Sequence, residues 1–196
     1  LNPSTWMRSA CSRPPTGTCR SPGTGNRART ARAALKDFVT SRLARYAADR
    51  DRPDLGANSR LSPYLRHGEL SPRQVWTAAL KAGERAGLTA DAVRGDRFCA
   101  ELIWREFATQ QLVLHPSLPD RARTPRFDAM PWRHDARELR AWQRGRTGFP
   151  MVDAGMRELW QTGFMHNRVR MITASFLVKH LLIDWREGER WFWDTL

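Results

Sequence analysis

Apolar residues in this chain recur every three or four positions, in stretches closed off by proline, glycine and capping residues, and no bounded apolar/polar alternation appears anywhere. That pattern confines the chain to an all-α fold. Leu35, Phe38, Val39, Leu43 and Tyr46 keep helical spacing from Ala33 to Arg50, after which Pro53 and Gly56 end the run. "NSRLSPYLRHG" reads as a short helix stopped by Gly68. Ser71, Pro72 and Gln74 then form a capping box that opens a helix expected to run to Gly83 or Gly87. One longer helix is expected to carry Val93, Phe98, Leu102, Trp104, Phe107 and Leu112 as far as Pro116. A second box, Asp135 to Glu138, opens "DARELRAWQRG". Val169, Ile172, Phe176 and Leu177 mark a buried stripe in "MHNRVRMITASFLVKHLLI".

The 196 residues suit a single domain with one core. Residues 1–32 have no hydrophobic period and no acidic residue, so they are expected to be a disordered basic arm, either a DNA-binding tail or a non-native leader. Residues 33–196 are expected to be the folded part. The formal net charge of +13 makes a polyanion the first partner to consider, and the remainder stays basic without the arm. No apolar run approaches the ~18 residues of a spanning helix, so no membrane role is expected, and the cytoplasm is the default location. Cys11, Cys19 and Cys99 fit neither a zinc cluster nor a disulfide framework, and no metal site is expected.

Nine tryptophans suggest that something stacks on some of them, although any single one is more readily a core residue. Glu101, Trp104 and Arg105 share one helix face at i, i+3 and i+4. Such a trio could hydrogen-bond and stack on a base and meet a phosphate. Spacing alone equally allows a surface ion pair beside a core indole. Asn167, Arg168 and Arg170 follow His166 at a helix start that suits phosphate, or else form a solvated basic turn. Asn58, Ser59 and Ser62 could hold a pyrophosphate or simply cap a helix. No dinucleotide-binding glycine motif, P-loop or hydrolase elbow is present.

In this order, "SRLSPYLRHGELSPRQVW", "ELIWREF", "HPSL", "WQRGRTGFPMVDAGMRELWQTGFMHNRVRMITASFLVKHLLIDWREGE" and "WFWDTL" resemble the signature blocks of the photolyase and cryptochrome family. The resemblance runs from Ala33 to Leu196 and is nearest to the cyclobutane pyrimidine dimer photolyases. It implies part of a helical domain that holds FAD in a folded conformation. Tyr46 and the stretch Asn58, Ser59, Arg60, Leu61 and Ser62 match positions that hold FAD, as do Phe98, Arg105 and Arg170. Glu101 and Trp104 match residues that bond to and stack on a flipped-out dimer, and Arg105, Asn167 and Arg168 match positions at the same cavity.

By resemblance, Trp132 and Trp185 match the outer and middle members of an electron-relaying tryptophan chain. The innermost member, an acidic loop near the flavin and an α/β antenna domain would lie outside this chain. The implied activity is light-driven splitting of pyrimidine dimers in DNA, by an electron passed from reduced FAD and then returned; a monomer is expected. Asn167 argues against the six-four photolyases, which carry histidine there. Two departures are Asn58, where the family usually has threonine, and His67, where an aromatic or apolar residue is common. The competing readings are a cryptochrome-like blue-light flavoprotein without repair, and an inactive remnant or basic helical DNA binder.

Overall fold

A computed structural model describes residues 24–196, with side chains from residue 27. Its ten α-helices are α1 (Thr24–Ser41), α2 (Tyr46–Asp49), α3 (Ser62–Arg66), α4 (Pro72–Arg85), α5 (Ala90–Arg94), α6 (Arg97–Leu114), α7 (Ala136–Gln143), α8 (Pro150–Thr162), α9 (Asn167–Ser175) and α10 (Trp185–Thr195). Among the described residues there is no strand, only one isolated bridge between Arg133 and Ile183. The fold is all-α, as the apolar period requires.

Several boundaries differ from expectation, each for a local reason. The first helix already runs from Thr24, through residues assigned above to the arm, because Ala31 is fully buried and anchors its early turns in the core. The remainder of the arm lies outside the described residues. The expected helix from Ala33 to Arg50 is divided, since α1 ends at Ser41 and a 3-10 turn, Leu43–Arg45, precedes α2. The helix expected to carry both Val93 and Leu112 also breaks. Gly95 closes α5, and the Asp96 carboxylate accepts the Phe98 N–H at 2.8 Å to open α6. The Ser71–Gln74 box forms in both directions, at 3.2 and 2.8 Å. Asp135 accepts from Arg137 and Glu138, but the Glu138 carboxylate turns to Arg133 instead of completing its box.

Where length pointed to one core, the buried residues form two. The first gathers Leu35 and Phe38 of α1, Val75 and Ala79 of α4, Val93 of α5 and Phe98, Cys99 and Leu102 of α6, with Tyr46, Leu61 and Leu70. The second gathers Trp142 of α7, Val152, Met156 and Leu159 of α8, Met165 and Val169 around the start of α9, and Phe176, Leu177 and Ile183. They are separated because residues 115–135 supply no buried side chain to bridge them.

Close approach tightens the second core. A Cβ on Gly155 would sit 2.2 Å from Val169 Cγ1, so α8 and α9 touch only because that position has no side chain. Gly188 lets α10 pack on Leu177 in the same way, with 2.6 Å to Leu177 Cδ2. The buried Trp142 indole donates to the Thr173 carbonyl at 2.9 Å, tying α7 to α9. After α9 the backbone widens into a π turn, Phe176–His180, before the chain reverses into α10.

Candidate functional site

The two cores meet along a polar seam. Asp51, just after α2, accepts a two-pronged contact from Arg168 of α9, Nε to Oδ1 at 2.9 Å and Nη2 to Oδ2 at 2.7 Å. The neighbouring Arg50, itself buried, donates to both Asp51 and Glu101 of α6. Glu101, Arg50, Asp51 and Arg168 thus form a ladder of alternating charge from α6 to α9. Hydrogen bonding from Arg168 holds the Asp51 carboxyl below the usual carboxylate range, with the charges of Arg168 and Arg50 adding to it. Burial works against the Arg50 guanidinium, but Glu101, Tyr46 and Asp51 together outweigh it and leave the group above its ordinary value.

A cleft of about 740 Å³ opens between two walls drawn from either side of this seam. One wall is the short helix α3 with its C-cap, through Ser62, Pro63, Arg66 and His67. The other is α9, the π turn and α10, through Arg170, Ala174, Val178, Trp185, Phe192 and Trp193. Arg170 faces it with a buried Nε that has no hydrogen-bond partner, and burial pulls its guanidinium below its ordinary value. A buried, unpaired donor of this kind suits a polar acceptor supplied by a ligand. The Arg66 guanidinium stands 5.6 Å over the Trp193 ring, a cation–π contact across the cleft.

The candidate residues are spread over several places. Ser62, Arg170 and Trp185 line the cleft. Glu101, Arg105 and Arg168 stand along the seam; Arg105 donates to the Leu65 carbonyl at 3.3 Å and so braces α3 against α6. Asn167 is exposed at the start of α9. Trp104 projects into solvent at 64% exposure, meeting Phe107 edge-on at 5.6 Å. Neither a core indole nor a mere flank to an ion pair describes it.

Tyr46 and Phe98 belong instead to an aromatic cluster with Phe38, at centroid distances of 4.7 to 5.7 Å, and do not line the cleft. Burial, followed by the charge of Glu101, raises the Tyr46 hydroxyl above its usual range. Among the loop residues, the Asn58 carbonyl accepts from Arg42 at 3.0 Å, Ser59 accepts the Leu61 N–H, and Leu61 is buried. Arg60 adopts φ +54° and stands over Phe164 at 4.6 Å, linking this loop to the turn between α8 and α9. Trp132 is brought toward the start of α10, because the Arg133 N–H donates to the Leu182 carbonyl at 2.8 Å. Arg186 pins the same loop through the Asp120 carbonyl and the Asp128 carboxylate.

Arg50, Asp51 and Arg66 were not anticipated. Nothing in the local run "ADRDRP" distinguishes Arg50 and Asp51 from solvated charges; only their contacts with Glu101 and Arg168, 51 and 117 residues later, do so. Among the described residues no cluster of His, Cys, Asp and Glu could hold a metal, and no helix is long and apolar enough to cross a membrane.

Residues 98–196 match the family model described as the FAD binding domain of DNA photolyase. The chain belongs to that family. It is 51% identical to a deoxyribodipyrimidine photo-lyase of Agrobacterium fabrum, over 83% of this chain and 33% of the relative. It is 47% identical to the enzyme of the same name from Escherichia coli, over 84% of this chain and 34% of the relative. A bacterial class III photolyase from Agrobacterium tumefaciens superposes with a TM-score of 0.80 at 50% identity, covering 86% of this chain and 34% of that one. A Synechocystis cryptochrome reaches a TM-score of 0.77 at 34% identity, covering 86% and 35%. The chain therefore spans about a third of the length of the relatives it matches, and the matched residues 98–196 include α7 to α10 and one wall of the cleft, the other wall being α3.

Proposed function

We propose that this photolyase-family chain binds FAD in the cleft between α3 and α9–α10, and takes part in light-driven repair of pyrimidine dimers in DNA. The observation that carries the repair reading is Trp104. An indole this exposed, one helical turn from a carboxylate braced on the seam, is suited to stacking on an extruded base while Glu101 bonds its edge. The cleft itself supports the cofactor assignment. It offers the unpaired Arg170 Nε, the Arg66–Trp193 pair and the Ser62 hydroxyl, donors and rings that fit a phosphate-bearing aromatic cofactor.

Bound there, reduced FAD would supply a photo-excited electron donor. The chain's own residues do the holding and orienting. Arg50 holds the Glu101 carboxylate along the seam, and Arg105 fixes the cleft wall to the helix that carries Trp104. Asn167 and Arg168, at the start of α9, are placed to meet a backbone phosphate, so affinity for DNA should decline as salt rises. Trp132 and Trp185 are proposed as electron carriers toward the cleft; the bond from Arg133 to Leu182 supports their nearness. The cryptochrome alternative keeps the cleft but gives Trp104 no task, and the cryptochrome match is also the less identical of the two structures above.

The test is binding of dimer-containing oligonucleotide to FAD-loaded protein. Trp104→Ala should weaken it by about tenfold or more, because a stacked base contributes roughly 1–3 kcal/mol. Flavin absorbance should stay unchanged, since this side chain supports no core. Equal affinity for damaged and undamaged DNA in the unaltered protein would overturn the repair reading, and failure to retain FAD would overturn the cofactor assignment.

A further inference from the structure

His166 joins two helix ends that belong to different cores. Its ring is only 4% exposed. Nδ1 accepts the backbone N–H of Arg168 at 3.1 Å, and Nε2 lies 2.9 Å from the backbone oxygen of Arg50. A backbone N–H only donates and a backbone carbonyl only accepts. Nδ1 must therefore be bare, and the ring proton must sit on Nε2. One neutral tautomer satisfies both contacts at once.

The two backbone groups are also the kind that helix geometry leaves without partners, a first-turn N–H of α9 and the C-cap carbonyl of α2. No other uncharged side chain offers a bare acceptor and a donor on opposite edges of one rigid ring. The two helices joined in this way carry the ladder, for Arg50 caps α2 and Asp51 follows it, and Arg168 lies in the first turn of α9.

We infer that His166 is the positioning residue of the seam: as a neutral imidazole it splices the end of α2 to the start of α9, and so fixes the register between Glu101 on α6 and Asn167 and Arg168 on α9. The splice stands on geometry alone, whereas its consequence for dimer recognition rests on the function proposed above. Both ring nitrogens are already committed, which leaves the residue free neither to bind a metal nor to act on a substrate directly.

Two substitutions separate the halves of the splice. In His166→Asn the side-chain oxygen can still cap Arg168, but the amide is too short to reach Arg50. In His166→Gln the amide N–H can follow the course of Nε2 toward Arg50, and the cap is lost. Hydrogen exchange would be followed on the full chain loaded with FAD. His166→Asn should speed exchange of the Arg50 and Arg52 amides by about tenfold while α9 stays within about twofold; His166→Gln should do the reverse at Arg168.

Affinity for dimer-containing DNA should fall about tenfold in His166→Asn with flavin retained. In the unaltered protein, nitrogen chemical shifts should report a protonated Nε2 and a bare Nδ1. A proton on Nδ1, or α2 exchange in His166→Asn within about twofold of the unaltered protein, would overturn the inference. If the unaltered protein shows no preference for damaged DNA, the repair reading falls while the exchange and nitrogen-shift arms still decide the splice.

Discussion

Asp51 shows how much of the site depends on one carboxylate. The Arg168 fork is the first cause of its lowered pKa, so its contribution to folding is fully present above the ordinary carboxylate value of ~3.9 and is lost as pH falls through the lower value in the folded protein. The urea midpoint of the unaltered protein should therefore exceed that of Asp51→Asn near neutrality, and the gap should close as pH is taken below about 4. A gap that persisted undiminished in acid would mean that the fork contributes nothing through its charge. At this scale the sequence was partly legible. Glu101, Trp104 and Arg105 could be placed on one helix face from spacing, because helical periodicity is local. Which of the three would be paired and which left in water could not be read, because that depends on Arg50, 51 residues earlier in the chain. The same holds for Phe98, whose neighbours Phe38 and Tyr46 come from other helices and draw its ring into the first core.

The helices were most legible where their punctuation is contained in a few residues. Ser71, Pro72 and Gln74 specify the start of α4 almost by themselves, and Ser71→Ala should cost about 1 kcal/mol, readable as a lower thermal midpoint. The division between α5 and α6 was concealed, because apolar spacing runs straight through it, from Val93 to Phe98, and only the Gly95–Asp96 pair marks the break. The π turn at Phe176–His180 leaves no trace in the apolar pattern; it becomes visible only when Leu177 is seen packed under Gly188. Gly155 makes the sharpest prediction here. Gly155→Ala gains helix propensity yet drives a methyl into Val169, and overpacking of about 1–3 kcal/mol should prevail. Thermal melts of the single variant and of Gly155→Ala with Val169→Ala would show it. The second change should restore part of the loss, and two independent, additive losses would count against the contact.

For the whole molecule, the signature blocks from "SRLSPYLRHG" to "WFWDTL" disclosed family and fold class together, while the division into two cores was hidden. Length and composition set only how much apolar surface can be buried, not whether a linker such as 115–135 keeps its side chains out. The seam between the cores is held by polar contacts: the Arg168–Asp51 fork, the His166 bond to Arg50 and Arg60 over Phe164. Anything seated between α3 and α10 touches both halves, so its binding energy acts as coupling between them. Calorimetry of the ligand-free chain should show two overlapping transitions, which move upward and merge as FAD is added; one unchanging transition would mean that the cores already unfold together. A flavin held there would be a rivet as well as a chromophore. Mutations in the cleft walls themselves should announce themselves first as a protein that has lost its yellow colour, well before one that has lost its helices.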